Sequence, residues 1–413
     1  MVWHVAKIIP DIEKAKRSKQ KVEEGEIFLL NYLQDSFDTD AEVYFQPCFN
    51  GDRPDIVIIK KDVGVIIIEV KDWNLDRYKV DAKNSWLLVA DRQLVKSPAA
   101  QVFGYRKNLF EVHANGLLDR SIASETFYGL IKVYVYFHKA SKDLLKLLYE
   151  APISELREQL DENQKAFADK KIDYDKYEKR RVYLIGKKKQ LERDSGSMAV
   201  TPDTLNKIEF AGRKTNPSFE DGVYNELMRL LQPPYHYANE GKPIEYTKLQ
   251  LRLSESEEGA RVKVCGVAGS GKTAVLAKRA VNAHKRHGED VLILTYNLTL
   301  RMFVRDKISE VREDFNWGFF HITSYHKFIS SALNSAGVDV GVPDHTQDIN
   351  TYLEQHFYSN VSLFEGLVTS KYRTILIDEA QDFEPEWQKI IRECFLAEDG
   401  EMGRSQDRSA TLS

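Results

Sequence analysis

Cysteine is scarce in these 413 residues: Cys48, Cys265 and Cys394 stand far apart, odd in number and without the short spacings of metal ligands. That argues against a disulfide framework or a cysteine zinc site and for a reducing compartment, with the three thiols expected in the core. Long hydrophobic runs are missing too. The run from Val63 to Ile68 is far too short to span a bilayer and passes at once into charge. The N-terminus, MVWHVAKIIPDIEKAKRSK, has no basic segment followed by an apolar stretch, so no secretory signal is visible. A cytoplasmic protein without membrane contact is the expectation. Neither sign of charge is in excess: 59 Lys and Arg against 63 Asp and Glu leave a net −4. Any contact with nucleic acid must therefore come from local patches. What the chain does have is ordinary globular composition, 42% hydrophobic and 30% charged, and a length that calls for two or three domains.

The stretch Arg261 to Thr273, RVKVCGVAGSGKT, turns a short β-branched run into a glycine-rich loop. Gly266, Gly271, Lys272 and Thr273 fill the G-x-x-x-x-G-K-[ST] template, with Ala268, Gly269 and Ser270 inside the loop. Glycines let successive N–H groups curl around phosphate oxygens, Lys272 reaches the β/γ-phosphates, and Thr273 is placed to hold Mg²⁺. The context agrees. Arg261 to Cys265 reads as a strand, Thr273 to His287 as a helix stopped by Gly288. Downstream, ILIDEAQD (Ile375 to Asp382) is an apolar strand delivering Asp378, a ligand for nucleotide-bound Mg²⁺, and Glu379, a general base for the attacking water.

In the first third, VEEGEIFLLNYL from Val22 reads as an amphipathic helix with Ile27, Leu30 and Leu33 on one face and Glu23 and Glu26 nearby. Beyond it, DIVIIKKDVGVIIIEVKDW reads as a β-hairpin. A turn centred on Asp62 sets Asp55 opposite Glu69, and Lys71 then shares the face of Glu69. The almost uniformly apolar runs predict a hairpin buried on both faces, where charged groups are costly unless they have a task. Opposed carboxylates bind Mg²⁺ (or Mn²⁺) through oxygen, and a nearby lysine orients a nucleophile or stabilises a transition state at a phosphodiester.

These residues resemble the PD-(D/E)xK nucleases, and more narrowly the nuclease-related domain NERD. The matching elements are Gly25-Glu26 in the helix, Pro54-Asp55, Glu69-Val70-Lys71-Asp72-Trp73, and Ser97-Pro98-Ala99-Ala100-Gln101 with a glutamine opening a helix. The resemblance implies a catalytic set of Glu26, Asp55, Glu69, Lys71 and Gln101, with Asp55 and Glu69 as metal ligands. The later motifs resemble a UvrD-like superfamily 1 helicase. That resemblance implies Gln250 as the reader of adenine, Thr295 and Asn297 as single-strand contacts, and Gln381 as the link between γ-phosphate and DNA. Fusions of the two kinds include some that act in defence against foreign DNA, and repair is the other role implied. Tyr325 and His326, at the tip of FFHITSYH, are candidates to stack on a base.

The expected fold class is therefore α/β: a restriction-endonuclease-like mixed sheet with flanking helices, then a partial RecA-like P-loop parallel domain. The expected division is a nuclease core at 1–140, a charged helical insertion at 141–180, the end of the nuclease domain at 181–232, a linker at 233–245 and the motor at 246–413. The insertion mixes acids and bases around Leu145, Leu148 and Leu156, which argues for a solvated helical face. Tyr128 to His138 and Arg181 to Ile185 read as strands and Phe219 to Leu231 as a helix. After a helix at Glu384 to Ala397, the residues EDGEMGRSQDRSATLS read as a polar tail without the Asp- and Gln-bearing strand with which the helicase family continues. Slow ATP hydrolysis and no unwinding are the expectation. DNA, single- or double-stranded, and ATP are the implied partners, with self-association left open. The competing reading is a nucleotide-dependent DNA-binding or regulatory module with an inactive nuclease site.

Overall fold

The computed structural model of the chain describes residues 5–17, 22–48, 52–109, 129–338, 340, 342, 346–364, 367 and 370–407. They group into two compact units, the first made essentially by the described residues up to Leu227 and the second by most of those from Met228 onward.

The first unit is built on a mixed six-stranded sheet. Its strands β1 (Lys7–Ile9), β2 (Ala41–Phe45), β3 (Ile56–Lys60), β4 (Gly64–Lys71), β5 (Ile131–Phe137) and β6 (Ala199–Val200) are hydrogen-bonded in chain order. The central three are antiparallel; β1 runs parallel to β2, and β5 and β6 extend the sheet parallel to β4. Ile56 pairs with Ile68 and Lys60 with Gly64, the register expected of a turn centred on Asp62. Ile56 to Ile59 and Gly64 to Val70 are all buried. β-Branched residues on both faces give the hairpin its central place, because each face finds an apolar partner.

Helix α1 (Glu24–Ser36) lays Leu29, Leu30 and Leu33 on that sheet beside Val43, Ile56, Ile58, Ile66 and Ile68. The inward stripe is thus turned slightly from the expected one: Leu29 is buried and Ile27 packs only partly. Helix α2 (Pro98–Asn108) begins at its N-cap Ser97, whose hydroxyl accepts the N–H of Ala100. Helices α3 (Lys142–Ala168) and α4 (Tyr174–Glu192) pack side by side. The expected strand Arg181 to Ile185 lies inside α4. A five-residue apolar run does not fix its own conformation; here an Asp173 N-cap starts a helix whose charged flanks carry the run along. The outermost strand pairing with β5 is instead Ala199–Val200. Tyr128, the expected start of β5, lies outside the described residues. Helices α5 (Asn206–Arg213) and α6 (Asp221–Leu231) complete this unit's labelled elements.

In the second unit the segment expected as a linker is part of the fold. Tyr235–His236 pairs antiparallel with Phe315–Asn316. His236 is buried, stacks on Phe315 with centroids 4.4 Å apart, and meets the carbonyl of Val311 at 3.0 Å. After helix α7 (Lys248–Ser254) come strands β7 (Arg261–Gly266), β8 (Val291–Thr295), β9 (Phe320–Ser324), β10 (Tyr372–Ile377) and β11 (Leu396–Asp407). All are parallel, in the order β7-β11-β10-β8-β9. Helix α8 (Lys272–His287) presses Leu276, Ala277, Ala280 and Val281 onto Val291, Ile293 and Leu376 and ends at Gly288, at φ 67°. Helices α9 (Leu298–Ser309), α10 (Tyr325–Ser335) and α11 (Pro385–Ile390) follow their strands.

Two expectations are corrected here. The polar segment after Ala397 is no loose tail through Asp407: together with Leu396 and Ala397, expected as the end of a helix, it is an interior strand bordered by β7 and β10. Its polar residues are tolerated because they are paired. Glu401, fully buried, takes hydrogen bonds from Arg279 and Arg286, and Ser405 donates to Asp378. The stretch from residue 408 on lies outside the described residues. The cysteines are not core thiols: Cys48 and Cys394 are half-buried, and Cys265, on the edge strand β7, is exposed. Among the described residues no helix is long and apolar enough to cross a membrane.

Candidate functional site

The hairpin and α1 bring four of the five expected nuclease residues together. Asp55 precedes β3 and its carboxylate accepts the main-chain N–H of Val70 at 2.7 Å. The Lys71 ammonium donates to Glu69 Oε1 at 2.5 Å, while Glu69 is 3% exposed and its Oε2 is buried without a hydrogen-bond partner. Glu26 is equally buried and accepts from the N–H of Glu23 at 2.7 Å and from Gln46 Nε2 at 2.8 Å. It is the third residue of α1 and closes that helix's capping box.

Burial pushes the Asp55 carboxyl well above the usual range and Glu69 adds to the push, against the opposing Lys71 charge. Glu26 is raised for the same first reason, burial. Burial acts to lower the Lys71 ammonium, but Glu69 and Asp55 outweigh it and hold it above its ordinary value. Lys71 thus stays charged at neutral pH, and it also lies 5.5 Å from the Trp73 ring centroid. Gln101 is buried on α2 and donates to the hydroxyl of Tyr105 at 3.2 Å.

The sequence reading missed what aims Glu26. Both oxygens of Asp72 accept the N–H of Gly25, at 3.2 and 3.1 Å. A Cβ on residue 25 would lie 2.2 Å from Asp72 Oδ1, so glycine is required for this close approach. A carboxylate at a helix N-terminus is favoured by the exposed N–H groups there, and it ties α1 to the end of β4. Both residues sit in the quoted motifs; their pairing was the unread signal.

The second unit gathers the residues of the glycine-rich loop. Gly269 and Gly271 take φ of 79° and 83°, the left-handed region that glycine enters without a Cβ penalty, and Lys272 opens α8. Its ammonium donates to Asp407 at 2.6 Å and to the Val267 carbonyl at 3.3 Å. Thr273 Oγ1 lies 3.2 and 3.5 Å from the two oxygens of Asp378. Asp378 is 1% exposed, and burial raises its pKa, with Ser405 and Thr273 opposing. Glu379, at φ 52°, accepts from Gln381 Nε2 at 2.7 Å, and Gln381 Oε1 accepts the N–H of Asp407 at 3.1 Å. Ser405 and Asp407 are therefore site neighbours that the polar composition of the last strand concealed. Gln250 stands against the loop: its Nε2 donates to the Ser270 carbonyl at 3.2 Å while Oε1 accepts the N–H of Thr247 at 2.9 Å.

The candidate nucleic-acid contacts fare differently. Thr295 is fully buried and donates to the carbonyl of Asn297, whose own side chain caps α9. Tyr325 is fully buried too, stacked on Trp387 at 4.5 Å, with its hydroxyl on the Tyr358 carbonyl. Neither side chain is open to a base. His326, 38% exposed, pairs with Glu354 at 3.5 Å and packs edge-on to Trp387.

Residues 21–138 match the family described as NERD, nuclease-related domain. The span contains Glu26, Asp55, Glu69, Lys71 and Gln101, and a nuclease-related domain points to nuclease activity with DNA as its partner. Comparison with curated proteins and with solved structures gave no match.

Proposed function

We propose that the first unit is a Mg²⁺-dependent DNA nuclease and that the second binds ATP in the manner of a superfamily 1 helicase motor. The observation that carries the nuclease reading is the buried end of the hairpin, where Asp55, Glu69 and Lys71 converge and Glu69 Oε2 has no partner. An orphaned carboxylate oxygen costs about 1–3 kcal/mol, a cost a bound cation would remove. Among the described residues no three His, Cys, Asp or Glu side chains group closely enough to hold a metal ion. A Mg²⁺ ion would need only one or two carboxylates, its shell completed by water and phosphate oxygens.

Asp55 and Glu69 would hold the ion, which when bound supplies a hydroxide source and neutralises charge on the scissile phosphate. Lys71 holds Glu69 in place and presents a fixed positive charge to a phosphodiester oxygen. Glu26 and Gln46 wall the carboxylate side. In the second unit Lys272 would meet the β/γ-phosphates, Thr273 and Asp378 the nucleotide's Mg²⁺, and Glu379 the attacking water. The support is the closeness of Thr273 to Asp378 and the αL glycines of the loop.

The test is cleavage of plasmid and single-stranded DNA in Mg²⁺ by the full chain, beside Glu69→Ala and Lys71→Ala. Losses of about 10²-fold or more are expected, the scale of a removed catalytic group. Equal activity in all three, or DNA binding without cleavage in Mg²⁺ or Mn²⁺, overturns the nuclease reading, and the second outcome favours a binding module.

A further inference from the structure

The paired helices α3 and α4 take no part in either site, yet α3 borders a cavity of about 300 Å³, closed on its other sides by the π-helical turn Arg193–Met198 and by α5. Lys142, Lys146, Tyr149, Ile153 and Arg157 follow at i, i+4, i+7, i+11 and i+15, a spacing that gathers them on one face of α3. With Lys207 of α5 they give the cavity four cationic side chains against one carboxylate, Glu150.

Ordinary surface mixing does not account for this arrangement. Lys146 and Arg157 form no ion pair among the described residues. Lys207 is anchored by the main chain: its ammonium donates to the carbonyls of Gly196 at 2.6 Å and Ala199 at 2.8 Å. Two of its three N–H groups are fixed, its charge is not cancelled by the neutral carbonyls, and one donor remains. Asp203, an acid that acts on both Lys207 and Lys142, takes hydrogen bonds from the Thr201 hydroxyl and from the main-chain N–H of Lys142. Burial, and after it the neighbouring Lys142, act to lower the Lys207 pKa, with Asp203 opposing. The wall between the cations is apolar. Tyr149 is buried against Trp86, with centroids 6.1 Å apart, and Ile153 lies a turn further along. π-Turns of the kind that closes the cavity recur at binding sites.

We propose that this cavity binds a phosphomonoester of mononucleotide size, the phosphate drawn to the cationic lining of Lys146, Arg157 and Lys207 and the flat body laid against Ile153. The volume stands at the lower end of small-ligand pockets, enough for one nucleotide and too little for a duplex. A free mononucleotide and the 5′-phosphorylated end of a strand share this chemistry.

The test is calorimetric titration of the full chain carrying Lys272→Ala, in EDTA, so that neither the phosphate loop nor a divalent ion at the first unit's carboxylates takes up the probe. The probes are dAMP, deoxyadenosine and a 5′-phosphorylated oligonucleotide. Saturable binding of dAMP at one site is expected, weakened at least tenfold by the double change Lys146→Ala with Arg157→Ala, with no binding of deoxyadenosine. Both altered side chains are exposed, so an unchanged thermal midpoint is expected for the double variant. Binding of the oligonucleotide in the same variant-sensitive way identifies a strand end as a second source of the phosphate. Absence of dAMP binding, equal binding of deoxyadenosine, or an unchanged Kd in the folded double variant overturns the proposal. None of these results depends on whether the protein cleaves DNA.

Discussion

Asp55 and Val70 are joined by a 2.7 Å hydrogen bond from main-chain N–H to carboxylate, so the residue between Glu69 and Lys71 is the one that holds Asp55 in register with both. The two acids and the lysine therefore behave as a unit. Lys71→Met leaves Asp55 and Glu69 facing each other without a cation, and a buried charge stripped of its partner costs about 3–5 kcal/mol. Lys71 keeps some solvent contact, so a loss of about 2–4 kcal/mol in urea unfolding at pH 8 is expected. Adding Asp55→Asn should restore most of it. A double variant no more stable than Lys71→Met alone would show that the acids do not repel one another.

Gly25 is a second point of tight fit. A methyl group there would drive Asp72 away from the N-terminus of α1, and overpacking of this kind costs about 1–3 kcal/mol. Gly25→Ala should lower the urea midpoint, and Asp72→Ala alone should cost about 1 kcal/mol for the lost cap. The closest clash goes with the Asp72 side chain while His138 Cβ, at 2.7 Å, still crowds the methyl group, so the double variant should lose less than the two single losses added but more than Asp72→Ala alone. Strict additivity would refute the contact.

In the phosphate loop Lys272 is held by Asp407 at 2.6 Å, a carboxylate in the position of an anion. Nucleotide phosphates would have to displace it. Asp407 is 44% exposed in its side chain, so the pair is worth only about 1 kcal/mol. Asp407→Asn should tighten ATP binding by about fivefold in fluorescence titration, since 1.4 kcal/mol is tenfold. Lys272→Ala should abolish binding, and wild-type affinity in that variant would mean that the loop does not hold phosphate.

His287 supplies a pH dependence. Its pKa is lowered to about 4 by burial first and by Arg286 next. The geometry agrees: Nδ1 accepts the N–H of Glu289 at 2.9 Å, which fixes a neutral ring with its proton on Nε2 toward Thr374. The native state resists a proton that the unfolded chain accepts near pH 6.5. This group therefore costs nothing above pH 6.5, destabilises progressively as pH falls, and exerts its full penalty below about 4. Solvent screening at a half-buried ring reduces that penalty to about 1–2 kcal/mol. His287→Gln should flatten the fall in stability between pH 6.5 and 4, followed by urea midpoints; parallel curves for the two proteins would remove the assignment.

The hairpin and the glycine-rich loop after β7 could be read from sequence because their residue types act locally: β-branched runs fix a pleated strand, and a left-handed backbone demands glycine. Where stability comes from distant partners the reading failed. Residues 398–407 look like a solvated tail until Arg279 and Arg286 neutralise Glu401 and Ser405 meets Asp378. Arg181 to Ile185 looks like a strand until the whole of α4 is considered. Tyr325 looks like a base-stacking tip, and packing on Trp387 makes it core. Gly25 and Asp72 stood in plain view, yet only the fold reveals that they touch.

The place of β11 also has a temporal consequence. During synthesis β7, β8, β9 and β10 all leave the ribosome first, yet among the described residues β7 pairs in this sheet with β11 alone. Until residue 407 has emerged, the nascent strand before the glycine-rich loop and the Asp378 strand lack the neighbour that joins them, so these two strands enter one sheet only after β11 has been made.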